Sequence, residues 1–483
     1  MKTGSSPKSP VPEEPRVSQS VMPALSRVLV PEVLPAVMPD VPAVPEMLPA
    51  PLPELVLPAR LPADLPAEGC AVLAAALTGA LPGRPRPDRG ELVRAAVPAC
   101  WDEGECVRLL RFLDAVDDTR GLRGREYPLS YLLALPLVAG MAGDDELDAA
   151  GEWIASAPEE LLLRLGAPRG RSGEARRPDA TTIGRVLARV GQCQYDDALC
   201  AWAAARARAQ RPGLRRHLRV DGKAVRGAAP RGGRAPMLLS GIWDDGTTAG
   251  QLPVDVKTNE IPVFRVLLGK IPDQDMKDAV VTADQMHTQR EHARLIVRKG
   301  GHFVFTIGEN QPGLFDAADT LCWGSVAVEA WTVDRGHGRI DVRVIKTMPA
   351  TGRIRELFPH VRQVFLVERY SYATDGSLLG AIAVLGITSL APDQAGPADL
   401  LAYLRGHWAI EMHHYVRDVC FGEDASRVSR GYQAKAAIRN TIIGILHLHR
   451  IPNIAAQLRI CHRDPYRLPL QLLGLTRPQM ALT

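Results

Sequence analysis

The sequence predicts an α/β protein with a β-rich insertion, fronted by a small all-α region and a proline-rich tail. Three observations lead there. Sixteen of the forty prolines fall in the first 66 of 483 residues. Apolar residues recur at three-to-four spacing from about Cys70 to Gln210, the period of helices. Beyond Arg215, short strand-like runs alternate with helical patterns, which argues for a mixed core.

The elements follow in order. Residues 1–68 carry proline every few positions. Proline lacks a backbone donor and blocks helix continuation, so this stretch is expected to be a disordered tail. Its five Lys/Arg and six Asp/Glu through residue 60 leave it near neutral, so it is not a basic arm. Residues 69–200 form the helical region, with helices expected through Tyr127–Gly143 and after Pro178-Asp179. Residues 211–450 form the α/β domain. Its strands are expected at His217–Val220, on both sides of Asp244-Asp245-Gly246, at Ala279–Thr282 and at 302–307, with helices at Ile261–Leu268 and Arg290–Arg298. A mostly β insertion follows at about 320–392, then helices from Ala398 to Leu448. Residues 451–483 are expected to form a C-terminal tail.

Composition excludes several classes. Apolar residues make up 46%, which suits a globular chain. The longest uncharged apolar stretch, Tyr127 to Gly143, has 17 residues and two prolines, so it reads as a buried helix rather than a membrane span. The proline-broken N-terminus has no signal-peptide core. Eight cysteines form no CxxC pair, which argues against a zinc ribbon or a disulfide framework. These features suit a cytoplasmic protein with no membrane partner.

The net charge is only +4, but its distribution is uneven. From Arg206 to Arg234 there are ten Lys/Arg and one acid, Asp221. Such a run is either an anion-binding face or a solvated linker. Within and beyond it lie three acids in suggestive settings. Asp221 ends the strand-like LRVD, and Asp284 ends VVTAD. Glu411 lies in the helical LRGHWAIEMHHYVRDV. Two strand-end aspartates and a helix glutamate can converge on divalent ions, although any one acid alone reads more readily as a surface charge. His287 is open between contact with the scissile strand and a polar role at a helix N-terminus, and His337 between a DNA-backbone contact and a hairpin turn. Trp323 and Trp331 read more readily as core residues than as base-stacking ones.

The motifs VDGKAVRG, KTNEIP, VVTADQMHTQ, ENQPGLF, RGHGRIDVR and RGHWAIE…RDVCFGEDASR, in that order, resemble the DDE transposases of the ISAs-type insertion sequences. That family falls within the broader IS-four-like group. The resemblance covers about residues 105–475. It implies an RNase H-like core with a β insertion before the glutamate helix. It also implies that Asp221, Asp284 and Glu411 are the catalytic and metal-binding triad, holding two magnesium ions or manganese in their place. Arg405 and His407 match the basic and polar residues before the catalytic glutamate and imply phosphate contact. With Arg215, Arg216, Arg219, Lys223 and Arg226 they make the expected DNA-binding set.

The implied activity is metal-dependent cleavage and strand transfer of double-stranded DNA, at transposon ends and target. The implied setting is a homodimer in the DNA complex, associated with the nucleoid. A silent, domesticated DNA-binding relic and an RNase H-like nuclease without strand transfer are the alternatives. This chain departs from the family in three places. Met412 follows the glutamate where asparagine is usual. The segment to Arg417-Asp418-Val419 is one residue shorter, which sets His414 and Asp418 at i+3 and i+7 on the face of Glu411. Glu309 stands where a lysine commonly precedes the NQP turn.

Overall fold

The computed structural model describes residue 72 and residues 99–101, 103–210, 215–255, 258–336, 338–428 and 430–478. The expected proline-rich tail, 1–68, lies outside the described residues.

Among the described residues from 99 on, the first elements are β1 (Ala99–Trp101) and six helices: α1 (Glu103–Asp114), α2 (Leu129–Met141), α3 (Leu147–Ser156), α4 (Glu159–Arg164), α5 (Ala180–Arg189) and α6 (Gln192–Gln210). The apolar stretch from Tyr127 becomes α2, and every residue from Ser130 to Met141 is buried. No helix among the described residues is long and apolar enough to cross a membrane. Asp179 starts α5 by accepting a hydrogen bond from Thr182 N at 2.8 Å, a standard N-cap.

The central part contains β2 (His217–Ala224), β3 (Met237–Trp243), β4 (Thr248–Val254), α7 (Glu260–Lys270), α8 (Asp273–Met276), β5 (Val280–Ala283), α9 (Arg290–Arg298), β6 (His302–Thr306) and α10 (Pro312–Asp319). Then come β7 (Ala330–Gly336), β8 (Arg339–Pro349), α11 (Gly352–Leu357), β9 (Gln363–Ala373) and β10 (Leu378–Thr388). The chain closes with α12 (Pro397–His407), α13 (Ala409–Phe421), α14 (Tyr432–Leu448), α15 (Ile454–Arg463), α16 (Leu468–Leu472) and β11 (Thr476–Pro478).

Nine strands form one mixed sheet in the order β4-β3-β2-β5-β6-β10-β9-β8-β7. The pairs β2–β5 and β5–β6 are parallel. The β3–β4 hairpin turns at Asp244-Asp245-Gly246 as expected. The Asp245 carboxylate accepts from Thr247 N at 2.9 Å, and Gly246 takes a φ of 84°. The β-rich insertion does not form a separate layer. Gly386, Ile387 and Thr388 of β10 pair with Thr306, Phe305 and Val304 of β6, so β7–β10 extend the same sheet and cover an edge that would otherwise be open. The β7–β8 hairpin forms at Gly336–Arg339; His337 is outside the described residues.

One sheet face packs Leu218 and Val220 against Phe264 and Leu267 of α7, Ile296 of α9 and Leu314 of α10. The other packs Val280, Val304 and Phe365 against Leu400 and Leu401 of α12. A separate helical core joins Leu132, Trp153 and Trp202 to Ile438, Ile442, Leu458, Cys461 and Leu470. The front helices therefore share their core with α14–α16. The stretch after residue 450, expected as a tail, is folded through residue 478 because Ile454, Leu458 and Cys461 repeat at i, i+4, i+7 and face that core. The β1–β11 pair, Cys100 opposite Arg477, ties the described front of the chain to its rear.

The loop after α13 docks on the short turn Arg226–Ala228. A Cβ on Gly227 would collide with the backbone carbonyls of Glu423 and Ser426. Carbonyls held in a loop cannot yield as a flexible side chain can. Gly227→Ala is expected to lower stability by about 1–3 kcal/mol, read from the urea midpoint. An unchanged midpoint would show that the loop does not press on this turn.

Candidate catalytic site

Parallel pairing of β2 with β5 sets Val220 opposite Ala283. The next residues are Asp221 and Asp284, which therefore lie side by side at a strand spacing of about 4.8 Å. Asp221, expected at a strand end, instead lies inside β2, which continues to Ala224 because β3 still pairs with it there. Asp284 sits just beyond the carboxyl end of β5. The alternation of β2 sends Leu218 and Val220 into the core beneath α7 and turns His217, Asp221 and Lys223 to the opposite face, where α12 and α13 lie.

Helix α13 crosses that face with Glu411, His414 and Asp418 aligned. His414 Nδ1 stands 3.4 Å from Asp221 Oδ2. Asp418 meets Lys223 Nζ at 2.7 Å. The spacing expected from Glu411, i+3 and i+7, thus corresponds to real contacts with β2. Met412 is exposed, along with Trp408, Tyr415 and Val419 on the outer side of α12–α13.

Asp284 is steadied from α12. His407 Nε2 lies 3.6 Å from Asp284 Oδ1, and His407 Nδ1 lies 3.0 Å from Thr282 Oγ1. The same hydroxyl is 2.7 Å from His217 Nε2. Burial pulls the pKa of His217 far down, with the Arg219 charge adding to it. His217 is therefore neutral and can donate Nε2–H to Thr282, whose hydroxyl then donates to His407 Nδ1. That leaves Nε2–H of His407 directed at Asp284.

Charge shows that the acids share one field. Burial raises the Asp221 carboxyl to about 6, and the Asp284 charge adds to the effect. Burial likewise raises Glu411, followed by the Asp221 charge, with Asp284 contributing. Asp284, with 62% of its side chain exposed, is instead lowered, first by its interaction with His407. Among the described residues, no three His, Cys, Asp or Glu side chains are gathered closely enough to form a ready-made metal cage. The three carboxylates are coupled but not closed around a point.

The expected DNA-binding cations are already engaged within the chain. Arg215 pairs with Asp278 and donates to Gln394 O at 2.7 Å. Arg216 lies 3.8 Å over the Trp243 ring and pairs with Asp245. Both precede β2, about 16–20 Å along the chain from Asp221. Arg219 is half-buried and donates to Trp243 O. Arg405 grips Asp334 of β7 through two bonds of 2.7 and 2.8 Å. Lys223, only 7% exposed, faces Asp418, Asp424 and Glu423. Arg226, 66% exposed, pairs with Asp424.

Lys223 opens a buried ion network. Arg417 and Glu423 are fully buried and bonded at 2.8 Å. Glu423 also meets Arg439 of α14, and Arg439 reaches Asp145 before α3. Breaking one buried pair leaves an uncompensated charge, typically a loss of about 3–5 kcal/mol. The network therefore fixes α13, and with it Glu411, against β2 and the helical core.

A further acid near the site was not singled out from the sequence. Glu260 starts α7, and its carboxylate fills the place a Cβ on Gly222 would take. Its partner is His287 Nε2 at 3.3 Å. His287 is fully buried against the Phe264 ring, 4.5 Å away. The signal was in two quoted motifs, KTNEIP and ADQMHTQ. Nothing in either sequence says that they meet beneath Gly222.

The raised Asp221 carboxyl gives a pH-dependent expectation. An unfolded aspartate titrates near 3.9. Ionising Asp221 therefore weakens the metal-free fold, a loss that grows as pH rises from about 4 and is complete above about 6. Asp221→Asn cannot ionise. In magnesium-free buffer it should raise stability by about 1–3 kcal/mol at pH 7.5 and leave it nearly unchanged at pH 4. Equal effects at the two pH values would show that Asp221 is not held in a repulsive field.

The DDE_Tnp_1-associated family model matches residues 110–203, from the end of α1 into α6. A protein of Xanthobacter autotrophicus, described as "Uncharacterized protein in dhlA 3'region", is 30% identical over 47% of this chain and 76% of its own length. The "Putative transposase YncI" of Escherichia coli O157:H7 is 23% identical over 68% of this chain and 83% of that protein. The "H repeat-associated putative transposase YhhI" of Escherichia coli K12 is 22% identical over 71% and 91% respectively. Among solved structures, a piggyBac transposase synaptic complex with hairpin DNA overlaps 79% of this chain and 83% of that one, loosely, with a TM-score of 0.38 and 10% identity. The associated domain at the front and the transposase relatives along most of the chain agree in supporting a DDE-type transposase family.

Proposed function

We propose that this protein is an ISAs-type transposase with an RNase H-like catalytic core, which cuts the ends of an insertion sequence and joins them to target DNA. The observation that carries this reading is the side-by-side placement of Asp221 and Asp284 just past the last parallel pair of β2 and β5, with Glu411 in the same electrostatic field. The carboxyl edge of parallel strands is where α/β sheets bind ligands.

The donor set fits magnesium. All three groups offer hard carboxylate oxygens, and magnesium keeps several waters while taking one or two carboxylates at a time, so no closed protein cage is required. The raised carboxyls of Asp221 and Glu411 mark a repulsion that a cation relieves. Asp221, Asp284 and Glu411 would hold the two ions, with manganese as a substitute. When bound, the ions activate the attacking oxygen and stabilise the leaving one.

The chain's own groups prepare these acids. His414 holds Asp221 from α13, and the His217–Thr282–His407 chain directs one N–H at Asp284. The buried ion network from Lys223 to Arg439 keeps Glu411 in register with both. Double-stranded DNA is the substrate, at the element's ends and at the target. The working form is a homodimer on DNA in the cytoplasm, at the nucleoid.

The test is nicking and joining of a labelled duplex that carries the inverted repeats flanking the coding region. With magnesium, the full chain should nick the repeat end and join it to a second duplex. Glu411→Gln should bind the duplex as before and nick it on the order of 10²–10³-fold more slowly, the loss seen when one stabiliser of transition-state charge is removed. Equal nicking by the variant would remove Glu411 from the site. Nicking without joining would favour the nuclease alternative, and binding without nicking by the unaltered chain would favour the silent relic.

A further inference from the structure

On the opposite sheet face from α13, a recess of about 490 Å³ opens between the first turns of α7 and α9. It is lined by Arg265 of α7, Arg290, Glu291 and Arg294 of α9, and Gln311 at the start of α10. Both helices begin at the sheet edge that carries the acids. Glu260, the first residue of α7, abuts Gly222 beside Asp221, and Arg290 follows Asp284 by only six positions.

The recess has an excess of positive charge. Glu291 pairs with Arg294, and Arg290 Nε donates to Leu357 O at 2.8 Å. Among the described residues, no carboxylate stands at ion-pair distance from Arg265 or Arg290. This contrasts with Arg215, Arg216, Arg405 and Lys223, whose charges are met within the chain. Helix α9 also starts without a side-chain cap, so its first N–H groups add positive potential at the same mouth.

We propose that this recess is a phosphate-binding subsite that takes the sugar–phosphate backbone of a DNA strand as it leaves the catalytic edge. The guanidinium fork suits paired phosphate oxygens, and three arginines around one opening suit a chain of phosphodiesters. The inference rests on the transposase reading above and adds a strand path to it, on the far side of the acids from α13.

The test uses the full chain, a 30-bp random-sequence duplex and, separately, sodium tripolyphosphate. The double variant Arg265→Gln, Arg290→Gln is compared with a control, Arg298→Gln, Arg353→Gln, which removes two exposed arginines outside the recess. Melting without ligand checks that both fold. Losing two phosphate contacts should lower the salt slope of log K for the duplex by about 1.8 and abolish stabilisation by tripolyphosphate, while the control keeps both. A slope equal to the control's overturns the proposal. If the unaltered chain ignores the duplex but is stabilised by tripolyphosphate through Arg265 and Arg290, the recess binds anions, the strand assignment is overturned, and the DNA reading itself fails with it.

Discussion

Parallel pairing between β2 and β5 is the constraint on which the site depends. Four residue pairs, His217–Val280 through Val220–Ala283, set the register that makes Asp221 and Asp284 neighbours. A shift by one residue would turn Leu218 and Val220 out of their core and Asp221 into it. The apolar packing beneath α7 therefore holds the acids in register without touching them. Burial of the strand face also withdraws solvent from Asp221, which raises its carboxyl.

The third acid depends on a different force. Glu411 lies on a helix that is not part of the sheet, so strand register cannot position it. Arg417, Glu423, Lys223, Arg439 and Asp145 do so by linking α13, β2, α14 and the helical core through buried ion pairs. Such pairs are poor sources of net stability, because each charge gives up its hydration. Their geometry is demanding, however, and that gives them value where a helix must be held in one register. The shared core of the front helices and α14–α16 serves the same end, since it anchors α14 from behind.

Much of the fold was legible because its signals are local. The apolar period of α2, the cap at Asp179, the turn at Asp245-Gly246 and the strand ending just before Asp284 are each written in a few consecutive residues, whereas the continuation of β2 past Asp221 depends on its pairing with β3. The alignment of Glu411, His414 and Asp418 followed from helical period alone. Long-range partners were not legible. The basic run from Arg206 to Arg234 looks like a DNA face in one dimension. In three, Arg215, Arg216 and Lys223 meet Asp278, Asp245 and Asp418, acids from distant segments. The contacts of Glu260 with Gly222 and His287, and the joining of β10 to β6, likewise depend on topology that no short motif encodes.

The claim that three acids from two strands and a helix form one metal-binding centre is tested most directly by iron-mediated backbone cleavage. Ferrous ion takes the place of magnesium, and ascorbate with peroxide generates hydroxyl radicals that cut only nearby peptide bonds. Fragments ending near residues 221, 284 and 411 together, all suppressed by excess magnesium, are the expected result. Cuts confined to one of these segments, or none that magnesium suppresses, would contradict a shared centre.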